Sequence, residues 1–300
     1  MSKTQGTWGD EVAIDDDLVE QGLRHGELWD VNTYIDLNCA RKIRQGAWAE
    51  AERLLRKLNE LADVYGYDFA ASTAHGRRAF LLLEQRRLEE ARDAIDVYDA
   101  GRYEETLNLW ALGIRAKILT LLGDREGAAS ILAKASKMVV HSRQVPTYHL
   151  SAYFASRLLL DAARLETLLA SGDRTAARVA ARQARSSMRR AVRVAPKVAT
   201  VRPEIYRLAG RVCWLLGRPR QATGWWMRSI DEGERLAAKP ELARVYREVG
   251  QRMSTAGGNS EGMNGLSPAA FLEKARALFA ELRLEWDRAQ LGAAGLRAAQ

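Results

Sequence analysis

The sequence predicts an all-α protein, an α-solenoid of about six antiparallel helical hairpins. Three observations carry this. Ala, Leu, Arg and Glu, all good helix formers, dominate a 300-residue chain that holds only six prolines. One turn phrase recurs five times along the chain. No stretch shows the period-two alternation of a half-buried strand.

The recurring phrase is a Leu-rich helix, a turn that often holds Gly, a few polar residues, and then Ala inside the next helix. It reads Gln45-Gly46-Ala47-Trp48-Ala49-Glu50-Ala51, then Gln85-Arg86-Arg87-Leu88-Glu89-Glu90-Ala91. It returns as Gly123-Asp124-Arg125-Glu126-Gly127-Ala128, Gly172-Asp173-Arg174-Thr175-Ala176-Ala177 and Gly217-Arg218-Pro219-Arg220-Gln221-Ala222. Gly gives the backbone freedom for a tight helix-to-helix turn. The Ala five residues on is small because the two helices of a hairpin approach closely there. Apolar residues four and seven beyond it fall on the same helix face: Leu55 and Leu58, Ile95 and Tyr98, Leu132 and Ala135, and Trp226.

On these residues the chain resembles tetratricopeptide repeats. The best copy spans residues 203–229, where Tyr206, Ala209, Gly210, Cys213, Gly217, Ala222 and Trp226 match the motif's small and large positions. A half-copy follows in Tyr246, Val249, Gly250 and Met253, completed after an insertion by Ala275, Phe279 and Leu282. In the first three copies the position usually held by Gly is Cys39, Ala79 and Ala116. The turns lie 37 to 49 residues apart, longer than the standard repeat of about 34, which implies longer helices. The stretches Trp225–Ile230, Glu241–Tyr246 and Ala275–Phe279 are similar to the C-terminal helical repeats of large bacterial multidomain ATPase and nucleotide-cyclase signalling proteins. The similarity runs across most of residues 31–290 and implies a right-handed superhelix. These 300 residues leave no room for the ATPase or cyclase domains that such proteins carry.

The domain reading follows from composition. Residues 1–30 form an acidic, partly disordered leader, with two bases against eight acids for a net charge of −6. The rest of the chain carries +14. Residues 31–290 form the repeat domain, in which 254–267 is a flexible Gly-, Ser- and Asn-rich loop, and residues 291–300 fray. Pro240 and Pro268 each suit a first helical position, the latter with Ser267 as N-cap. A basic body behind an acidic leader points to an acidic partner, or to the leader folding back on the body. No apolar run is long enough to span a bilayer and the N-terminus has no signal-peptide core, so the expected compartment is the cytoplasm.

The sequence offers no catalytic, cofactor-binding or metal-binding constellation, and a non-catalytic role is expected. The histidines His25, His75, His141 and His149 show no metal-ligand spacing. The glycine-rich Gly257–Gly262 segment lacks the Lys-Ser/Thr ending of a phosphate-binding loop. Cys39 and Cys213 sit in apolar helical patterns and read as reduced, buried thiols.

Two surfaces are candidates for binding. The repeat register places Asn38, Arg41, Lys42, Arg77, Asn108, Arg115, Arg207 and Arg211 on the first helices, lining a groove for a peptide, a helix or a partner protein. The partner could be a separately encoded enzyme, with this chain as scaffold or regulatory subunit. The second surface is a stripe of Arg174, Arg178, Arg182, Arg185, Arg189 and Arg193, spaced by four and three so that they share about one-third of a helix circumference. Arg190, Lys197 and Arg202 add to the charge. Such a ladder could grip phosphates, anionic lipid or an acidic protein segment. It could equally be a solvated face whose arginines meet acids of adjacent helices. No aromatics interleave with it and no zinc-finger or RNA-motif signature appears, which argues against sequence-specific nucleic-acid recognition. Of the adjacent Trp225 and Trp226, about 100° apart on a helix, one is expected to contact a neighbouring repeat or a partner.

Overall fold

A computed structural model describes residues 14–98, 105–141, 145–255, 263 and 265–297. Among these residues fourteen α-helices follow one another and no strand occurs. A short helix α1 (Asp16–Arg24) precedes six hairpins: α2 (Leu28–Gln45) with α3 (Trp48–Tyr65), α4 (Asp68–Glu84) with α5 (Leu88–Asp96), and α6 (Glu105–Leu122) with α7 (Arg125–His141). Then come α8 (Thr147–Ala170) with α9 (Arg174–Val194), α10 (Arg202–Leu215) with α11 (Pro219–Arg235), and α12 (Lys239–Thr255) with α13 (Pro268–Glu281). A last helix, α14 (Glu285–Arg297), follows. Each hairpin packs on its neighbours, giving an all-helical, solenoid-like stack.

The turns are built as the sequence phrase requires. Gly46, Gly123, Gly172 and Gly217 all take positive φ, between 70° and 93°. At the second turn Arg86 adopts the same left-handed conformation at φ 62°, a region in which a side chain crowds the backbone. The alanines that follow, Ala51, Ala91, Ala128, Ala177 and Ala222, are all buried. So are Leu55, Leu58, Ile95, Leu132, Ala135 and Trp226 on the same faces. Helix starts are capped locally. The carboxylate of Asp15 accepts from the Leu18 amide at 3.1 Å, and that of Asp173 from Ala176 at 2.9 Å. The Ser267 hydroxyl accepts from Ala270 at 3.2 Å, with Pro268 as the first residue of α13. Pro240 is the second residue of α12.

The described part of the acidic leader belongs to the body. Val19 of α1 joins the core formed by the first hairpins. Asp16 pairs with Lys57 at 2.8 Å and lies 3.8 Å from Arg53, both on α3. Residues 1–13 and the Gly257–Gly262 segment lie outside the described residues.

The stack also meets its own beginning. Helix α12 packs against α2. The Trp48 indole N–H donates to the Leu282 carbonyl oxygen at 3.0 Å, joining positions 234 residues apart. Gly46 allows this approach, since a Cβ there would fall 2.6 Å from Leu282 and 3.3 Å from Pro240. The first helices of all six hairpins therefore face a common interior.

Candidate functional site: an ion-paired interior and an arginine face

The interior is charged. Every first helix contributes to it: Arg44 from α2, Glu84 from α4, Lys117 from α6, Glu166 from α8, and the sets Glu204, Arg207, Arg211 from α10 and Glu241, Arg244, Glu248 from α12. The last two sets repeat one spacing, i, i+3, i+7, which places each set on one helix face.

At the centre, Lys117 Nζ lies 2.7 Å from Glu204 and 3.3 Å from Glu84, and Arg44 lies 3.2 Å from Glu84 and 3.6 Å from Glu204. Arg244 reaches Glu84 at 2.5 Å, Asp287 of α14 at 3.1 Å and Glu241 at 3.6 Å. Arg207 joins Glu241 at 2.5 Å to Glu248 at 3.8 Å, and Glu248 accepts from Arg252 at 3.1 Å. Glu166 pairs with both Arg211 and Arg252. Burial alone would raise these carboxyl groups, but the surrounding cations outweigh it. Lys117 and Arg44 hold Glu204 down at about 2. Arg211 and Arg252 do the same for Glu248, and Arg244, Arg86 and Arg247 for Asp287, each at about 2. Glu84 sits well below the usual range for the same reason.

The positions expected to line a groove divide between this interior and its margins. Arg207 and Arg211 are in the network. Arg77 is buried, bound to Asp36 with a second contact at 2.6 Å, donating to the Tyr148 hydroxyl at 3.3 Å and lying 4.9 Å above the Trp110 ring. Asn38 and Arg41 are buried, the Asn38 amide donating to the Tyr34 carbonyl at 2.8 Å. Lys42, Asn108 and Arg115 retain partial exposure, and Arg115 pairs with Asp96 at 3.0 Å. The inner faces of the first helices thus meet one another's charges rather than lining an open channel along the stack.

The arginine stripe lies on the outside. The apolar face of α9, formed by Ala177, Ala180, Ala184, Ser187 and Ala191, is buried against α8 and α10. Arg174, Arg178, Arg182, Arg189 and Arg193 on the opposite face are exposed, and Arg185 is half-buried. Helix α9 contains no acidic residue, and among the described residues no carboxylate pairs with any of the six. Arg202, counted with this charge in the sequence, is instead buried. It donates to the Ala195 and Pro196 carbonyls at 3.0 and 2.9 Å and pairs with Glu232.

Trp226 is fully buried against Gly210, while Trp225 is half-exposed and packs at a tilt on Tyr206, ring centroids 5.6 Å apart, with Arg228 above it. Cys39 and Cys213 are buried, and burial pushes the Cys39 thiol up to about 12. Among the described residues no group of His, Cys, Asp or Glu side chains is arranged to hold a metal ion, and no helix is long and apolar enough to cross a membrane.

The sequence reading missed Glu84, Arg86, Glu204, Glu241, Arg244, Glu248 and Asp287. One signal was available: Glu204, Arg207, Arg211 and Glu241, Arg244, Glu248 recur 37 residues apart, within otherwise apolar first helices. Comparison with protein-family profiles and with curated proteins gives no match for the chain.

Proposed function

We propose that this protein is a non-catalytic scaffold or regulatory subunit that docks an acidic protein segment along the arginine face of α9. One observation supports the reading most directly. The interior cations are paired with carboxylates, whereas the α9 stripe is exposed and meets none among the described residues. Arginines clustered without counter-charge repel one another and weaken the folded state, so an anionic partner has a favourable term waiting for it.

An acidic helix fits best. From Arg174 to Arg193 the stripe runs straight for about 28 Å at the rise of an α-helix. Carboxylates spaced by three and four on a facing helix repeat at the same interval, as in charged coiled-coil flanks. Single-stranded nucleic acid would call for stacking aromatics, and α9 has none. Membrane insertion would call for large apolar side chains beside the cations. Val179 is the one exposed large hydrophobic on the described helix. The fold gives α9 its rigidity, because α8 and α10 lock the opposite face.

The test is fluorescence anisotropy of the whole chain with a labelled helical peptide carrying Glu at i, i+4 and i+7, beside a Gln-substituted peptide, duplex DNA and phosphatidylserine vesicles. Saturable binding of the Glu peptide, weakened by salt and abolished by Arg182→Glu with Arg189→Glu, supports the reading. Duplex DNA or vesicles binding more tightly than the peptide at moderate salt would overturn it in favour of a polyanion surface. Peptide binding that survives the double reversal would also overturn it.

A further inference from the structure

We infer that the interior cavity bounded by Arg86 and by α6, α8, α10, α12 and α14 is a binding site for a small phosphorylated molecule, its phosphoryl group held by Arg86 and Arg247. The inference is independent of the docking role proposed for α9.

The cavity has a volume of about 500 Å³, within the range of small-molecule pockets. Its cations include Arg86, Lys117, Arg207, Arg211, Arg247 and Arg252, and its carboxylates are Glu166, Glu204 and Glu248. Counted over the connected network among the described residues, eight cations face six carboxylates. An excess of two positive charges among largely buried side chains is costly unless an anion joins them.

The excess has a location. Asp287, fully buried, is shared by three arginines: Arg86 at 3.4 Å, Arg244 at 3.1 Å and Arg247 at 3.0 Å. Arg244 has Glu84 as well, whereas among the described residues Arg86 and Arg247 have the shared Asp287 alone within ion-pair distance; Glu84 and Glu241 act on Arg86, and Glu248 on Arg247, from further away. The Arg86 side chain is 5% exposed, and its Nε makes no hydrogen bond. Among the described residues its Nη1 donates to the Leu83 carbonyl alone, at 3.0 Å. These are also the two interior arginines whose pKa falls below the usual arginine value. Desolvation is the larger cause in both, reinforced for Arg86 by Arg244 and for Arg247 by Arg207. The other interior arginines with a shifted pKa, Arg207, Arg244 and Arg252, all rise.

The chain also spends backbone energy to hold Arg86 there. It occupies a left-handed turn position at φ 62° that four of the five turn phrases give to Gly, although Ala237 and Arg283 hold the same conformation at two other turns. A structural turn would be served better by Gly. What Arg adds is a guanidinium in the cavity. A phosphoryl dianion matches both the excess of two charges and the forked donors of arginine. Trp286, which lines the same cavity with Arg86 5.9 Å above its ring, offers a face for a planar group attached to the phosphate.

The experiment is isothermal calorimetry of the full chain at low salt with inorganic phosphate, pyrophosphate and AMP, beside adenosine and malonate. We expect one site per chain for the phosphorylated probes, no binding of adenosine, and malonate weaker than pyrophosphate. Arg86→Gly, which suits the backbone at that turn, and Arg247→Gln should each weaken binding by about tenfold or more, the loss of one charge-assisted hydrogen bond. Arg182→Glu with Arg189→Glu should leave it unchanged. As a readout free of variant folding, pyrophosphate should raise the wild-type melting temperature above that in sodium chloride of equal ionic strength. The inference is overturned if no phosphorylated probe binds or stabilises the wild-type chain, if malonate binds more tightly, or if the loss of affinity follows the α9 reversal rather than the interior variants.

Discussion

Arg244 of α12 donates to the Glu84 carboxylate at 2.5 Å and to the Glu84 backbone carbonyl at 2.7 Å, tying together residues 160 positions apart. In an open stack of repeats, stability is a sum of local terms and neighbour interfaces. Here the sixth hairpin is also bound to the second, so its loss is felt far along the chain. Removing one partner from such a buried pair costs about 3–5 kcal/mol, because the other charge is left without compensation. Glu84→Gln should therefore lower the thermal midpoint and do so in a single cooperative transition. A variant that melts in two phases, with the first hairpins holding together after the last have opened, would show that the ends are not coupled.

Acid should unfold the protein through the same network. The folded-state values of Glu204, Glu248 and Asp287 lie at about 2, below the 4.5 and 3.8 expected of free side chains. The stability they contribute is fully present above the free-chain values, because there both states are ionised. As pH falls below those values the unfolded chain takes up protons first, and the contribution shrinks until pH reaches about 2. Melting temperature measured from pH 7 downward should hold level and then fall steeply below about pH 5. A flat profile to pH 3 would mean that these carboxylates titrate in the folded state as they do in the unfolded chain, so that the ion pairs do not hold their pKa down.

Gly210 of α10 lies directly against the Trp226 ring of α11. A Cβ there would lie 2.3 Å from the indole nitrogen of Trp226, whose ring is fully buried. Neither the backbone of α10 nor the wedged ring can yield without disturbing the core. Gly210→Ala, a change that normally favours a helix, should instead destabilise by about 1–3 kcal/mol, the cost of overpacking. An increase in denaturation midpoint would place the two helices further apart than described.

How much of this was legible in the sequence depends on the range of the interaction. The turn phrase fixes residues that act on their own hairpin, so the glycines, the alanines five residues on and the capping Ser267 all fall as expected. The stripe on α9 was legible because six like residues share one helix face and need no partner to be recognised. The interior was not. Glu84 and Arg244 look like ordinary surface charges when each is read on its own helix, and only closure of the stack brings them together. Arg77, Arg207 and Arg211 were placed on the right helices, but the carboxylates that satisfy them come from elsewhere: Asp36 two helices earlier, Glu241 two helices later and Glu166 two helices earlier. Pairing at that distance leaves only an indirect trace, the spacing shared by Glu204, Arg207, Arg211 and Glu241, Arg244, Glu248, which marks the charged faces but not their partners.

A final prediction uses two opposite substitutions, 13 positions apart. Ala237, exposed in the turn after α11, has φ 49°, where an L residue pays about 1–2 kcal/mol. Ala237→Gly removes that cost and loses part of the gain to the greater freedom of the unfolded chain. Gly224 lies within α11, exposed, with nothing within 4 Å of where a Cβ would stand. Gly224→Ala there gains about 0.5–1 kcal/mol from helix propensity alone. The two sites share no contact, so their effects should add. The double variant, identical to the parent in composition, should therefore be more stable than either single one. The check is urea denaturation at unchanged slope. A double variant no more stable than the parent would mean that the turn at Ala237 is not left-handed in solution, because the gain at Gly224 depends on nothing but the helix.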